Sequence, residues 1–175
     1  GRYALAIEAL KRITDLNPKS AIAFLNLGGI YTKLGNFEQA ETHLKLALKL
    51  STDQPEIHRR IGEVFLGTKR YSLAQEHFST ALQSLPGAST LHYYLGRSFE
   101  GAGKNDSALT AYLRAVEIDF GFAECNYRLA ILARKLGKIE IANQNMERFR
   151  ILREIGSGNT ESIKKIKKLR ASILN

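Results

Sequence analysis

Apolar residues along this chain recur at the spacing of amphipathic helices. Two stripes follow each other closely: Phe24, Leu27, Gly28 and Tyr31 form the first, and Phe37, Ala40, Leu44, Ala47 and Leu48 form the second. Gly35 and Asn36 stand between them, a pair typical of a helix end followed by a turn. The pattern therefore predicts two antiparallel helices of about a dozen residues each, joined by a tight turn.

The same pair of stripes returns every 34 residues. Gly28 is followed at this interval by Gly62, Gly96 and Ala130. A column of small residues in the following helix repeats in the same way and comprises Ala40, Ala74, Ala108 and Ala142. Four copies at a fixed period, without insertions, indicate a repeat protein.

The glycine column needs an explanation, because glycine in a helix interior costs roughly 1 kcal/mol relative to alanine. We predict that Gly28, Gly62 and Gly96 face the second helix of their own repeat, where small residues let two helices approach closely. Gly29 belongs to no such column, and we expect it only to be tolerated.

The set of residues that repeats with this period includes Leu27, Gly28, Tyr31, Gly35, Phe37, Ala40 and Ala47, with closing prolines at Pro18 and Pro86. This set resembles the tetratricopeptide repeat, and the resemblance extends over nearly the whole chain. It implies an all-α fold, an α-solenoid of antiparallel helix pairs wound as a right-handed superhelix.

On this basis we expect residues 1–175 to form a single array. Its parts are the second helix of a truncated repeat at 1–18, full repeats at 21–54, 55–88, 89–122 and 123–156, and a basic capping helix at 157–175. Because the first repeat lacks its first helix, we also expect the chain to be a fragment of a longer protein.

Neither the composition nor the motifs of the sequence indicate an enzyme. The single cysteine, Cys125, cannot form an intramolecular disulfide, which agrees with an expected cytoplasmic location. The sequence holds no phosphate-binding glycine loop, no GxSxG and no HExxH motif. We therefore predict no enzymatic activity, no catalytic residues and no cofactor.

Four histidines fall in two pairs at the repeat interval, His43 with His77 and His58 with His92. Equivalent positions in stacked repeats lie about 10 Å apart, the distance between packed helices. A zinc ion needs its nitrogen ligands at about 2 Å, so neither pair can share a metal. We predict no metal site.

The first helix of each repeat carries a second stripe, opposite the one that packs inward. The resemblance implies that first helices line a concave groove that holds an extended peptide or a partner's helix. Tyrosine and arginine, the residues most frequent at binding hot spots, are prominent in this stripe. The predicted groove residues are Asn26, Arg59, Arg60, Glu63, Tyr93, Tyr94, Arg97, Tyr127, Arg128 and Arg134.

These residues favour a protein-interaction scaffold that binds a partner segment with some acidic residues. Some similar domains clamp the C-terminal carboxylate of chaperones, but Glu63 and Glu124 stand at clamp positions here and would repel it. An RNA-binding helical repeat is the less favoured alternative, because base reading requires equivalent side chains in each repeat. The corresponding column varies freely: Asn26, Arg60, Tyr94, Arg128. A regulatory module of a larger enzyme is a further alternative.

The C-terminal segment is strongly basic. Residues 123–175 contribute +7 to a net charge of +9. Within this segment, Ile163, Ile166, Leu169 and Ile173 form one helical stripe, and lysines and Arg170 occupy the other positions. We expect this helix to cap the array, as terminal elements of repeat proteins do. Contact with an anionic membrane or an acidic partner is the alternative.

Overall fold

The computed structural model describes residues 1–156 and 160–174, all of whose regular structure is helical. The helices of this part are α1 (Arg2–Leu16), α2 (Ala21–Lys33), α3 (Phe37–Leu50), α4 (Pro55–Gly67), α5 (Tyr71–Ser84), α6 (Ser89–Gly101), α7 (Asn105–Ile118), α8 (Ala123–Lys135), α9 (Ile139–Gly156) and α10 (Thr160–Leu174). The predicted all-α class is confirmed.

The chain divides into two compact units, Gly1–Pro86 and Gly87–Asn175. In the first unit, α2 pairs with α3 and α4 with α5, while α1 packs on α2, and α4 contacts both α3 and α2. In the second unit, α6 pairs with α7 and α8 with α9, α7 contacts α8, and α10 packs on α9. Each pair is thus a repeat of one two-helix element.

The turn inside each pair has the same backbone geometry. Gly35, Gly103 and Gly137 have φ of 75°, 75° and 72°, in the left-handed region that glycine adopts readily. Lys69 occupies the equivalent position in the second pair with φ of 59°. In all four turns the next residue donates its N–H to a carbonyl five positions earlier, such as Asn36 to Tyr31 at 2.9 Å. This hydrogen bond stops the first helix and reverses the chain.

Large side chains of the second helix fill the space left by the glycine column. A Cβ atom built on Gly62 would lie 2.6 Å from Cε1 of Phe78, and one on Gly96 would lie 2.6 Å from Cδ1 of Tyr112. Gly28 faces Leu44 in the same way. All three glycines are buried, and the four alanines of the second-helix column are fully buried. Packing of a bulky side chain against bare backbone is what offsets the low helix propensity of glycine.

The C-terminal helix α10 lies on α9. Ser162 is fully buried, and its hydroxyl donates a hydrogen bond to Glu154 at 2.5 Å. Ile166 and Leu169 are half-buried. Residues 157–159 and the side chain of Ile173, which belong to the predicted cap, lie outside what the structure describes.

No helix among the described residues combines the length and apolarity needed to cross a membrane.

Candidate functional site

Asn26, Arg59, Arg60 and Glu63 of the predicted site belong to the first unit. Asn26 is exposed on α2, whereas the other three are half-buried on α4. Nε of Arg59 donates to Glu56 at 2.7 Å, Nε of Arg60 donates to Glu56 at 3.0 Å, and both arginines also contact Glu63. The two cations are therefore compensated by two carboxylates of the same helix.

Glu56 shows the electrostatic consequence of this arrangement. Burial by itself raises the pKa of a carboxyl group, since it disfavours the charged form. Hydrogen bonds from Arg59, together with the charges of Arg59 and Arg60, outweigh burial and hold the pKa of Glu56 below its usual value. This part of the surface is a locally neutral ion-pair cluster.

A groove of about 500 Å³ lies beside this cluster, between α1, α2 and α4. Its polar lining includes Asn26 and Arg60 of the predicted site, together with Lys33. The side chains of Asn26 and Lys33 are exposed, and neither has an ion pair or side-chain hydrogen bond among the described residues. The remaining lining residues are Ala6, Ala9, Leu10, Leu25, Gly29, Ile30 and Glu56.

In the second unit, Tyr93 is buried at 3% exposure. Its hydroxyl donates a hydrogen bond to Glu124 of α8 and accepts one from Nε of Arg128 at 3.2 Å. Arg128 also lies 3.8 Å from Glu100, which accepts a hydrogen bond from Tyr112 at 2.6 Å. Burial, followed by the hydrogen bond to Glu124, raises the pKa of Tyr93. Tyr93 and Arg128 thus join α6 to α8, which leaves the Tyr93 ring unavailable for surface contact.

Tyr94 and Arg97 lie nearer the surface of α6, both half-buried. The Tyr94 ring centroid is 5.5 Å from that of Tyr93, and the guanidinium carbon of Arg97 is 5.8 Å from the Tyr93 centroid. Arg97 makes no ion pair among the described residues. Its charge is therefore available to a ligand.

Tyr127 and Arg134 are exposed on α8. Tyr127 is 43% exposed, and its ring packs beside that of Phe149 with centroids 4.9 Å apart. Arg134 donates a hydrogen bond to Asn143 at 3.3 Å. Although they share a stripe with Tyr93, these two residues remain open to solvent.

Two histidines, His58 and His77, lie close together although they are not a pair at the repeat interval. Nδ1 of His58 on α4 lies 3.0 Å from Nδ1 of His77 on α5, so one ring must be neutral to accept the hydrogen bond. His43 stacks parallel to Tyr31 with ring centroids 5.4 Å apart. Within residues 1–156 and 160–174, no group of three or more potential ligands is arranged to hold a metal ion.

We expect the free energy of unfolding to fall as the pH drops through the unfolded histidine pKa of about 6.5. Burial, followed by the charge of His58, lowers the pKa of His77 in spite of nearby Glu76, and burial followed by Lys11 lowers that of His43. Below about pH 6.5 the unfolded chain therefore binds more protons than the folded chain, which favours unfolding. Urea denaturation between about pH 7.5 and 5.5 measures this, and the window lies above carboxyl titration.

His77→Gln is the control for this pH dependence. It removes one of the two titrating groups, so the variant should show a flatter slope of unfolding free energy against pH. An unchanged slope would mean that His77 does not control acid stability.

The structure as a whole is that of a helical repeat protein, built from two-helix elements with a period of 34 residues. Family models described as tetratricopeptide repeat match residues 1–60 and 59–120. The chain belongs to the tetratricopeptide repeat family.

Curated relatives are longer than this chain. It is 27% identical over 114 residues to TPR repeat-containing protein YpiA of Bacillus subtilis, a match covering 64% of this chain and 27% of that protein. It is 30% identical over 94 residues to the peroxisomal targeting signal receptor of Saccharomyces cerevisiae, covering 54% and 15%.

Solved structures of MamA share the fold. The fragment of MamA from residue 41 to the end, from Desulfovibrio magneticus RS-1, superposes with a TM-score of 0.77 at 21% identity, covering 91% of this chain and 89% of that one. A crystal structure of MamA gives a TM-score of 0.80 at 21% identity, covering 90% and 92%. These values support the solenoid fold class of the chain.

Proposed function

We propose that the chain is a non-catalytic protein-interaction scaffold whose first helices hold a segment of a partner protein. The observation that carries this proposal is the groove between α1, α2 and α4, because it includes Asn26 and Arg60 from the predicted site. Membership of the tetratricopeptide repeat family supports the general class of scaffold. The predicted single array over residues 1–175 and the cytoplasmic location stay proposals.

The groove suits a segment with an apolar anchor and a carboxylate. Ala6, Ala9 and Gly29 are small lining residues, which lets a bound backbone come close. The Asn26 side chain can both donate and accept, and so can hydrogen-bond a peptide group. Lys33 is a cation with no carboxylate partner among the described residues. A carboxylate of the ligand would form an ion pair with it.

The ion pairs on the first helices favour this function over RNA binding. Affinity for nucleic acid rests largely on cations that neutralise phosphates. Arg59 and Arg60 already pair with Glu56 and Glu63, and Arg128 lies within 4 Å of Glu100 and Glu124. A phosphate backbone would have to displace these carboxylates, whereas a peptide needs only the unpaired groups.

The test uses a peptide selected from a random library for binding to the whole chain. Lys33→Glu is expected to weaken this peptide about thirtyfold, the effect of losing about 2 kcal/mol at a hot spot. The melting temperature should fall only slightly, since Lys33 is exposed and unpaired, and the reversal costs only the favourable effect of a cation in the last turn of α2. A fluorescence titration of each variant, run beside its thermal melt, gives both values.

Lys49→Glu is the matched control, because Lys49 is exposed in the last turn of α3 in the same helix pair and undergoes the same charge change. Its affinity should equal that of the unmodified chain. Arg97→Glu applies the same test to the second unit. If Lys33→Glu and Lys49→Glu weaken peptide binding equally, the peptide is held by general charge attraction. If neither Lys33→Glu nor Arg97→Glu weakens it, the binding site lies elsewhere on the chain.

A further inference from the structure

A second cleft, unrelated to the first helices, lies beside α10 in the second unit. It has a volume of about 290 Å³ and is bounded by the turn between α7 and α8, by α9 and by α10. Its walls are mainly apolar, with Ile118, Phe120, Leu152 and Ile166 among the lining residues. The space is of a size that accepts an apolar side chain of a ligand.

Cations dominate the polar part of this cleft. Lys167 and Arg170 of α10 line it, both are exposed, and neither has an ion pair within the described ranges. The one carboxylate in the lining, that of Asp119, already accepts a hydrogen bond from the backbone N–H of Gly121 at 2.9 Å. The lining therefore carries a surplus of positive charge, from Lys167 and Arg170 against Asp119, beside its apolar side chains.

A buried arginine adds to this charge. The guanidinium carbon of Arg148 on α9 lies 4.5 Å from the ring centroid of Phe120, which is one of the cleft walls. Arg148 is only 8% exposed, its Nη1 donates to Asn145 at 3.4 Å, and its Nε has no hydrogen-bond partner among the described residues. Burial lowers the pKa of Arg148, but no described carboxylate neutralises it.

We infer that this cleft binds an acidic segment of a partner protein, with an apolar side chain in the cleft and carboxylates on Lys167 and Arg170. A pairing of this kind satisfies both features of the surface, because water exclusion by the apolar anchor strengthens the charge-assisted hydrogen bonds beside it.

An anionic membrane fits the surface less well. A helix that binds membranes inserts a free apolar face between lipid headgroups. In α10 that face is largely covered, since Ser162 is buried and Ile166 and Leu169 are half-buried, although Ile163 is 40% exposed. A concave cleft also cannot insert into a bilayer, whereas it can receive a protruding side chain.

The probe for the test is a short fluorescein-labelled peptide of glutamates around a central Phe-Leu. The whole chain should bind it, and Arg170→Glu should weaken binding at least about tenfold, because one attractive contact becomes repulsive. Lys164→Glu is the matched control: Lys164 lies on the same helix, is exposed, pairs with Glu161 at 3.9 Å and does not line the cleft. It should change the affinity less than threefold or so.

Three further probes separate the alternatives. A peptide with alanines in place of Phe-Leu should bind at least about tenfold more weakly, since the cleft would stay empty. Vesicles of phosphatidylserine and phosphatidylcholine, and a short oligouridine, should show no Arg170-dependent binding. Equal affinity for the alanine peptide, equal effects of the two charge reversals, or Arg170-dependent binding to vesicles or oligouridine would each overturn the inference. Lys33→Glu should not affect this binding, which keeps the result independent of the groove on the first helices.

Discussion

Gly62→Leu is expected to lower the free energy of unfolding by about 3 kcal/mol, at the upper end of the usual range for overpacking. Even a Cβ atom at this position would lie 2.6 Å from the ring of Phe78, which is fully buried. A leucine therefore forces the two helices of the pair apart. Urea denaturation of the variant beside the unmodified chain measures the loss.

Gly29→Ala is the control for this prediction. A Cβ atom on Gly29 would lie 3.7 Å from Cζ of Arg60, an ordinary contact distance. The gain in helix propensity, roughly 1 kcal/mol, should then leave the stability unchanged or higher. Gly62→Ala makes the same chemical change at the crowded position and should destabilise. Equal results for the two alanine variants would contradict the close-packing explanation.

A second variant tests the contact from the other side. Phe78→Ala removes the ring that Gly62→Leu would meet, and the double variant places the leucine in the resulting space. The double variant should be more stable than the sum of the two single changes indicates, because the residues are in direct contact.

Tyr93→Ala is expected to lower the free energy of unfolding by about 3 to 5 kcal/mol, the usual result of deleting a buried aromatic side chain. The ring lies 4.9 Å from that of Phe122 between centroids, and its hydroxyl contacts Glu124 and Arg128. Its loss leaves a cavity and breaks the hydrogen bonds that join α6 to α8. A thermal or urea melt measures the effect.

Tyr127→Ala provides the comparison, because Tyr127 stands 34 residues after Tyr93 in the same repeat column. Tyr127 is 43% exposed and its ring packs beside that of Phe149, so its loss should cost about 1 kcal/mol. Similar destabilisation by the two variants would show that burial does not separate their roles.

This pair of tyrosines shows how far the sequence determines the candidate site. The fold class could be predicted because the glycine and alanine columns repeat with one period, and each two-helix element is specified by residues close in sequence. The exposure of a groove residue depends on which side chains of the following helix pair pack against it. Phe122 and Glu124 cover Tyr93, whereas the Tyr127 ring packs beside Phe149 of its own helix pair and stays 43% exposed. Residues at equivalent positions of the repeat therefore need not be equally exposed, and the groove residues stay predictions.

Other features of the candidate site could not be predicted from the sequence, because they depend on three-dimensional contacts. The groove depends on Ala6, Ala9 and Leu10, which line it only because α1 packs on α2. His58 and His77 belong to different columns, so comparison by register could not place them together.

The contacts that fill the glycine column also bear on the speed of folding. Leu44, Phe78 and Tyr112 each stand sixteen residues after the glycine they cover. Each of these contacts closes only a short loop, so the entropy lost in closing it is small. Proteins dominated by contacts this near in sequence have low contact order and fold in microseconds to milliseconds. A helix pair of this kind can form early, and its neighbours can then add to it in turn.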